Sequence, residues 1–179
     1  MTSEMIKDWK KVTKTVQEEK FIPNVIEPSF GIGRIIYCLM EQSFKVRDEK
    51  RTFFYFPPKL TPYKVVFLPL LRKDELVNLA TKLEKDFRRN GIMCRSDCGS
   101  SAIGKRYSRT DEMGIPFAVT IDFDTLKDNT VTLREIISMK QIRLPIEDLQ
   151  KIIQDFTTSE QNFEDLCSKY QVVESQEGK

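Results

Sequence analysis

An α/β fold is what this sequence predicts over residues 64–170, with a central mixed β-sheet of about five strands flanked by three helices. Three observations predict it. Val65-Val-Phe-Leu68 is a continuous apolar run of strand length. Asp74 to Asn90 is amphipathic with helical period. Strand-length and helix-length segments then alternate to residue 157, the pattern of a sheet covered by helices.

Each element has its own signal. In the stretch 74–90, Leu76, Leu79, Ala80, Leu83 and Phe87 share one face, and Gly91 stands where a helix C-cap glycine belongs. Ile92 to Arg95 is a short strand. Ser101 can N-cap a helix running to about Met113, closed by Gly114. Phe117 to Ile121 is a buried strand. Thr130 to Arg134 and Met139 to Arg143 alternate in polarity and read as two antiparallel strands. Ile146 to Phe156 is a helix with Leu149, Ile152, Ile153 and Phe156 inward, and residues 160–170 make a last small helix. The order over 64–157 is β-α-β-α-β-β-β-α. Residues 171–179 are expected to be a flexible tail, polar from Glu174 onward.

Residues 1–63 are less regular. Alternation over 12–20 gives a weak strand pattern that needs a partner, and Trp9 in this segment is expected to be exposed. Val25-Ile26 reads as a short strand before a turn with two glycines. A helix follows, burying Ile35, Ile36, Leu39, Met40 and Phe44. Arg47 to Arg51 is loop-like. Residues 51–63 read as a linker whose aromatics, Phe53, Phe54 and Phe56, pack on a neighbouring surface before prolines stop regular pairing. The expected organisation is a strand–turn–helix over 1–50, a linker over 51–63, a domain over 64–170 and the tail.

Composition narrows the chemistry. Among 179 residues, 29 are Lys or Arg and 27 are Asp or Glu, so a net charge of +2 leaves any basic footprint local. Histidine is absent, which removes the commonest general base and mixed Cys/His metal sites. Cys38, Cys94, Cys98 and Cys167 form no paired C-x-x-C set and read as reduced thiols. No metal site is expected. No apolar run approaches the ~18 residues of a membrane span, and the first residues lack a signal-peptide core, so a cytoplasmic location is expected.

Three constellations could carry function. In Glu27-Pro-Ser-Phe-Gly-Ile-Gly-Arg34, glycines between strand and helix admit close approach of a flat ligand, and Arg34 offers a planar fork. A structural turn with a salt bridge explains these residues equally well. Lys105, Arg106 and Arg109 crowd positive charge at helical spacing, which an RNA phosphate would relieve. A solvated face with Arg109 paired to Glu112 does so too. Asp111, Glu112, Asp122 and Asp124 are carboxylates able to accept from cytosine amino groups, with Phe123 as a stacking platform. Asp122-x-Asp124 could instead cap its own turn.

Val25-Ile-Glu-Pro-Ser-Phe-Gly-Ile-Gly-Arg-Ile-Ile-Tyr37 resembles motif 3 of class II aminoacyl-tRNA synthetases in their eukaryotic and archaeal glycyl form. Arg51-Thr-Phe-Phe-Tyr-Phe-Pro57 resembles that group's exit from its catalytic core. Gly104 to Gly114 and Phe117 to Thr125 resemble its anticodon-binding domain. The resemblance spans about residues 20–170. Gly33 precedes Arg34 where class II enzymes generally have Glu, a departure the glycyl group shares.

The resemblance implies that Glu27, Pro28 and Ser29 line a glycine pocket and that Gly31, Gly33 and Arg34 contact ATP. It implies that Lys105, Arg106, Arg109, Asp111, Glu112, Asp122, Phe123 and Asp124 meet the anticodon region of glycine tRNA. The intact enzyme would use ATP and Mg²⁺, act as a homodimer and charge tRNA with glycine. Motifs 1 and 2 of class II enzymes do not occur here, so the expectation is a fragment, inactive alone, carrying a remnant of the catalytic domain over 1–50. The rival expectation is a non-catalytic nucleic-acid-binding accessory protein with the same fold.

Overall fold

A computed structural model describes residues 8, 10–49, 51–159 and 161–173. Trp9 and the segment from Glu174 lie outside the described residues. The chain divides into two units, 1–31 and 32–179.

In the first unit the described residues form no helix or strand. The strands expected over 12–20 and at Val25-Ile26 are therefore corrected to irregular chain. A strand needs a hydrogen-bonding neighbour, and the described residues of this unit offer none. Its apolar side chains stand in solvent, Ile22 and Ile26 at 97% exposure each.

The second unit opens with α1 (Ile32–Ser43), β1 (Phe44–Asp48) and β2 (Arg51–Phe54). The expected helix is present, but its expected inner face is not covered within this unit: Ile35, Ile36 and Met40 remain about half exposed. The charged stretch read as loop is instead an antiparallel hairpin. The Asp48 carboxylate closes its turn, accepting from the Arg51 backbone N–H at 3.0 Å and its Nε at 2.7 Å. The aromatics do pack as expected: Phe54 and Phe56 stack at 5.4 Å between centroids, and Phe44 meets Phe54 edge-on at 5.8 Å.

A six-stranded sheet forms the rest, in the order β4-β3-β5-β6-β7-β8. Its strands are β3 (Val65–Pro69), β4 (Cys94–Ser96), β5 (Phe117–Ile121), β6 (Thr130–Glu135), β7 (Gln141–Pro145) and β8 (Gln171–Val173). β3 runs parallel to both β4 and β5, and the remaining pairs are antiparallel. The sheet is mixed, as predicted, with one strand more than expected. β8 is the addition: Gln171–Val173 pairs with β7, so the tail expected from 171 is corrected for these three residues. Three residues are too short to show alternation, which is why the pattern did not disclose them.

Among the described residues five helices accompany the sheet: α2 (Asp74–Arg89), α3 (Ile103–Glu112), a single turn α4 (Thr125–Asp128), α5 (Ile146–Thr158) and α6 (Phe163–Lys169). β3 is apolar throughout because both its faces are covered. Val65 and Phe67 join the main core with Leu76, Leu83 and Phe87 of α2 and Leu149, Ile153 and Phe156 of α5. Val66 and Leu68 point the other way, into a smaller cluster with Tyr107 of α3, Ile115 and Ala118.

The helix ends obey their glycines. Gly91 (φ 77°) and Gly114 (φ 67°) take the left-handed conformation. Around each, paired bonds close the last turn: Ile92 N–H to Phe87 O and Gly91 N–H to Arg88 O, then Ile115 N–H to Thr110 O and Gly114 N–H to Asp111 O. The expected Ser101 cap is corrected. α3 begins at Ile103, and its N-cap, Ala102, supplies no side-chain acceptor. The strand expected from Met139 begins at Gln141. Met139 is left-handed (φ 56°), in a turn where the Glu135 carboxylate holds the Ser138 N–H and Oγ at 2.7 and 2.8 Å.

Candidate nucleic-acid interface

The chain leaves β3 through α2 to reach β4 on one side, then returns through α3 to β5 on the other side. The carboxyl ends of these parallel strands therefore border a topological switch point, where α/β sheets hold their ligands. Three loops meet that description: Leu70 to Lys73 after β3, Asp97 to Ala102 after β4, and Asp122 to Asp124 after β5.

Arg106 ties the first two loops together. It is 2% exposed, and donates from Nη1 to Pro69 O at 2.6 Å and from Nη2 to Asp97 O. Burial lowers its pKa, with Asp97 acting against that shift. The expected surface contact from Arg106 is therefore corrected: it braces the backbone under the loops. Helical geometry explains the split, since positions 105 and 109 share a side while 106 turns inward to the sheet. Lys105 is exposed, and Arg109 is about half exposed with Nη2 at 3.3 Å from Asp97 Oδ2. Asp97, rather than Glu112, is the partner of Arg109. The amides of the first turn of α3 have no side-chain cap, so the helix end beside Lys105 favours an anion.

The third loop places Phe123 half-buried against the core, with Lys73 Nζ 4.7 Å above its ring centroid. Asp124 is exposed and pairs with Lys127, at 3.0 Å. Asp122 caps its own turn, accepting at Oδ1 from the Thr125 N–H at 2.9 Å and its Oγ1 at 3.0 Å. Arg143 also grips it, at 2.6 and 3.1 Å. Burial would raise its pKa, but the hydrogen bonds from Arg143 and Thr125 outweigh that and hold it below the usual value.

The acidic set does not converge. Asp111 is buried at the far end of α3, where both oxygens bind Arg134 and Oδ2 also binds Arg47 at 2.8 Å. Its expected role as a base reader is corrected, since no free surface remains on it. Glu112 is exposed beside the β1–β2 hairpin, with Asp111, Arg47 and Phe53 around a small cavity of about 60 Å³. Two further residues of the crevice, Arg72 and Lys73, were not singled out from the sequence. Their signal was a basic pair directly after a buried strand and two leucines.

Glu27, Pro28 and Ser29 are exposed irregular chain in the first unit, and Gly31 is its last residue. Gly33 and Arg34 lie in α1, exposed. Among the described residues, no hydrogen bond or ion pair engages the side chains of Glu27, Ser29 or Arg34. Among them, too, no three His, Cys, Asp or Glu side chains gather as a metal site, and no helix is long and apolar enough to cross a membrane.

Comparison with known proteins identifies the family of this domain. The family described as "Anticodon binding domain" matches residues 64–156, just over half of the chain. Glycine–tRNA ligase of Bombyx mori is 46% identical over 171 residues, covering 94% of this chain and 23% of the relative. Glycine–tRNA ligase of Methanocaldococcus jannaschii is 46% identical over 149 residues, 82% of this chain and 26% of the relative. The chain thus spans about a quarter of the length of the curated relatives it matches. The RNA-binding domain of threonyl-tRNA synthetase from Cryptosporidium parvum superposes with a TM-score of 0.52 at 20% identity, over 56% of this chain and 25% of that one. At that identity the likeness shows the fold. With the matched stretch running from the residue before β3 into α5, the chain belongs to the anticodon-binding domain family.

Proposed function

We propose that this chain is the anticodon-binding part of a glycine–tRNA ligase and grips the anticodon loop of glycine tRNA in the crevice at the carboxyl ends of β3, β4 and β5. The observation that supports this reading is that Lys73 stacks over Phe123 in the loops after β3 and β5, while Lys105 and Arg109 stand on α3, which follows the β4 loop. Unstacked loop bases need an aromatic ring, cationic groups for the phosphates and an acceptor for cytosine amino groups. Phe123, the lysines with Arg109, and Asp124 supply these in turn. The names of the relatives point to glycine tRNA, and the accessory-protein reading is not favoured beside them.

The whole ligase would activate glycine with ATP and Mg²⁺ and transfer it to tRNA, as a cytoplasmic homodimer. Glu27, Pro28 and Ser29 would line its glycine pocket, and Gly31, Gly33 and Arg34 would reach ATP. Among the described residues no three His, Cys, Asp or Glu side chains gather where Mg²⁺ could be held. The test is a titration of this chain with glycine tRNA and with a matched tRNA whose two shared anticodon cytosines are replaced, at fixed salt. A preference of about 1–3 kcal/mol per replaced base is expected. Equal binding to both would remove anticodon reading and leave phosphate affinity alone.

A further inference from the structure

A second cleft opens at the other end of the sheet. Its volume is about 290 Å³, near the lower bound for small-ligand sites. Tyr55 and Pro58 form one wall, and Pro116, Phe117, Phe156 and Phe163 contribute apolar surface. The polar lining is one-sided: Glu135, Glu164, Ser138, Gln161 and Asn162, with carboxylates as the charged groups. Phe117 begins β5 whereas Phe123 follows its end, so the cleft and the crevice lie about 20 Å apart along the strand direction.

Glu135 is the unusual member. It is 9% exposed, yet no ion pair engages it among the described residues. Ser138 satisfies Oε2 with two hydrogen bonds, and no hydrogen bond engages Oε1. A half-shielded carboxylate among aromatic side chains favours a cation that can shed water easily and lie flat against rings. Guanidinium meets both conditions better than ammonium, being planar and weakly hydrated. Glu164 stands at the rim, its two oxygens held by Lys140 Nζ at 2.6 and 2.7 Å. That pair is exposed, so an arriving cation can compete with Lys140 for it. The cleft exceeds one guanidinium in volume, and the Gln161 and Asn162 amides can pair with peptide N–H and C=O groups.

We propose that this cleft receives an arginine side chain, with its flanking peptide groups, from a partner polypeptide, and that Glu135 and Glu164 hold the guanidinium. The site is separate from the RNA crevice, and both can be filled together.

Backbone amide NMR of the 179-residue chain, titrated with N-acetyl-arginine amide, tests this. Saturable shifts are expected at residues 135–138 and 162–164, with millimolar affinity for so small a probe. N-acetyl-citrulline amide, the uncharged isostere, should bind roughly tenfold more weakly. n-Propylguanidinium, which keeps the single charge but lacks the peptide groups, should bind more weakly than the arginine derivative. Glu135→Gln keeps an acceptor for Ser138 and should weaken arginine binding while leaving the remaining amide spectrum unchanged. Lys140→Ala, an exposed change that frees Glu164, should tighten it. Equal response to arginine and citrulline, equal binding of n-propylguanidinium, shifts confined elsewhere, or no tightening in Lys140→Ala would each overturn the proposal.

Discussion

Arg134 clasps Asp111 with both guanidinium nitrogens, Nη1 to Oδ1 at 2.9 Å and Nη2 to Oδ2 at 3.1 Å, and both side chains are buried. The pair joins β6 to α3. Arg47 adds β1 to the same carboxylate and donates to Ile136 O as well. One buried anion thus organises three elements. Asp111→Asn would leave Arg134 with its charge uncompensated in the interior, at a cost of about 3–5 kcal/mol. Arg47→Ala, whose guanidinium is nearer the surface, should cost less. Urea unfolding midpoints at equal m measure both. A loss below about 1 kcal/mol for Asp111→Asn would reduce the clasp to the rank of a surface pair.

Gly114 and Gly91 should respond differently to the same substitution. Both have positive φ, so alanine strains either by about 1–2 kcal/mol. A Cβ on Gly91 meets nothing within 4 Å, but on Gly114 it would sit 2.7 Å from Phe56 Cδ2 and 3.0 Å from Phe54 Cβ. Gly114→Ala must therefore also displace the stacked Phe54–Phe56 pair at the end of the hairpin, adding about 1–3 kcal/mol. Thermal unfolding of the two variants compares them directly. Equal losses would mean that the aromatic pair moves aside freely.

Which parts of this structure were legible in the sequence follows from range. The core of α2, the two glycine-ended helices and the strands at 65–68 and 117–121 were readable because period and punctuation are local. Arg106 and Asp111 were not, because the string Lys105-Arg106-Tyr107-Ser108-Arg109 shows charge without showing which side meets the sheet. The answer lay in Pro69, Asp97 and Arg134, remote in sequence. The hairpin was missed for a related reason: Phe44-Lys-Val-Arg47 alternates, but its remote partner Arg51-Thr-Phe-Phe54 does not, and Lys45 pairs with Phe53.

Asp122 gives the fold an acid-sensitive contact. Its folded pKa is depressed by hydrogen bonds from Arg143 and Thr125, against the opposing effect of burial. The stabilisation is therefore fully present above the unfolded value, near pH 4, and is lost as pH falls through the lower folded value. Asp122→Asn removes that contribution. The stability gap between the native chain and this variant should be constant from pH 7 to about 5 and shrink below about 4. A gap that stays level down to pH 2.5 would show that the Arg143 contact does not depend on the carboxylate's charge.

Lys105, Arg109 and Phe123 should separate in how they hold RNA. The two cations sit on one side of α3, Lys105 in its uncapped first turn and Arg109 in its last, and contacts of this kind are to phosphates. Lys105→Ala should weaken binding to glycine tRNA and to its cytosine-replaced counterpart alike, and lower the log–log salt slope by roughly 0.7. Arg109→Ala should do the same with a further penalty, because Asp97 then keeps the more distant Arg106 but loses the nearer of its two guanidinium neighbours. Phe123→Ala removes a stacking surface and should cost about 1–3 kcal/mol with the salt slope unchanged. Lys73 lies over that ring, so Lys73→Ala should combine a smaller slope with partial loss of stacking. Filter binding across a salt series resolves all four. A slope change in Phe123→Ala matching that of Lys105→Ala would mean that the ring orders the cations rather than meeting a base.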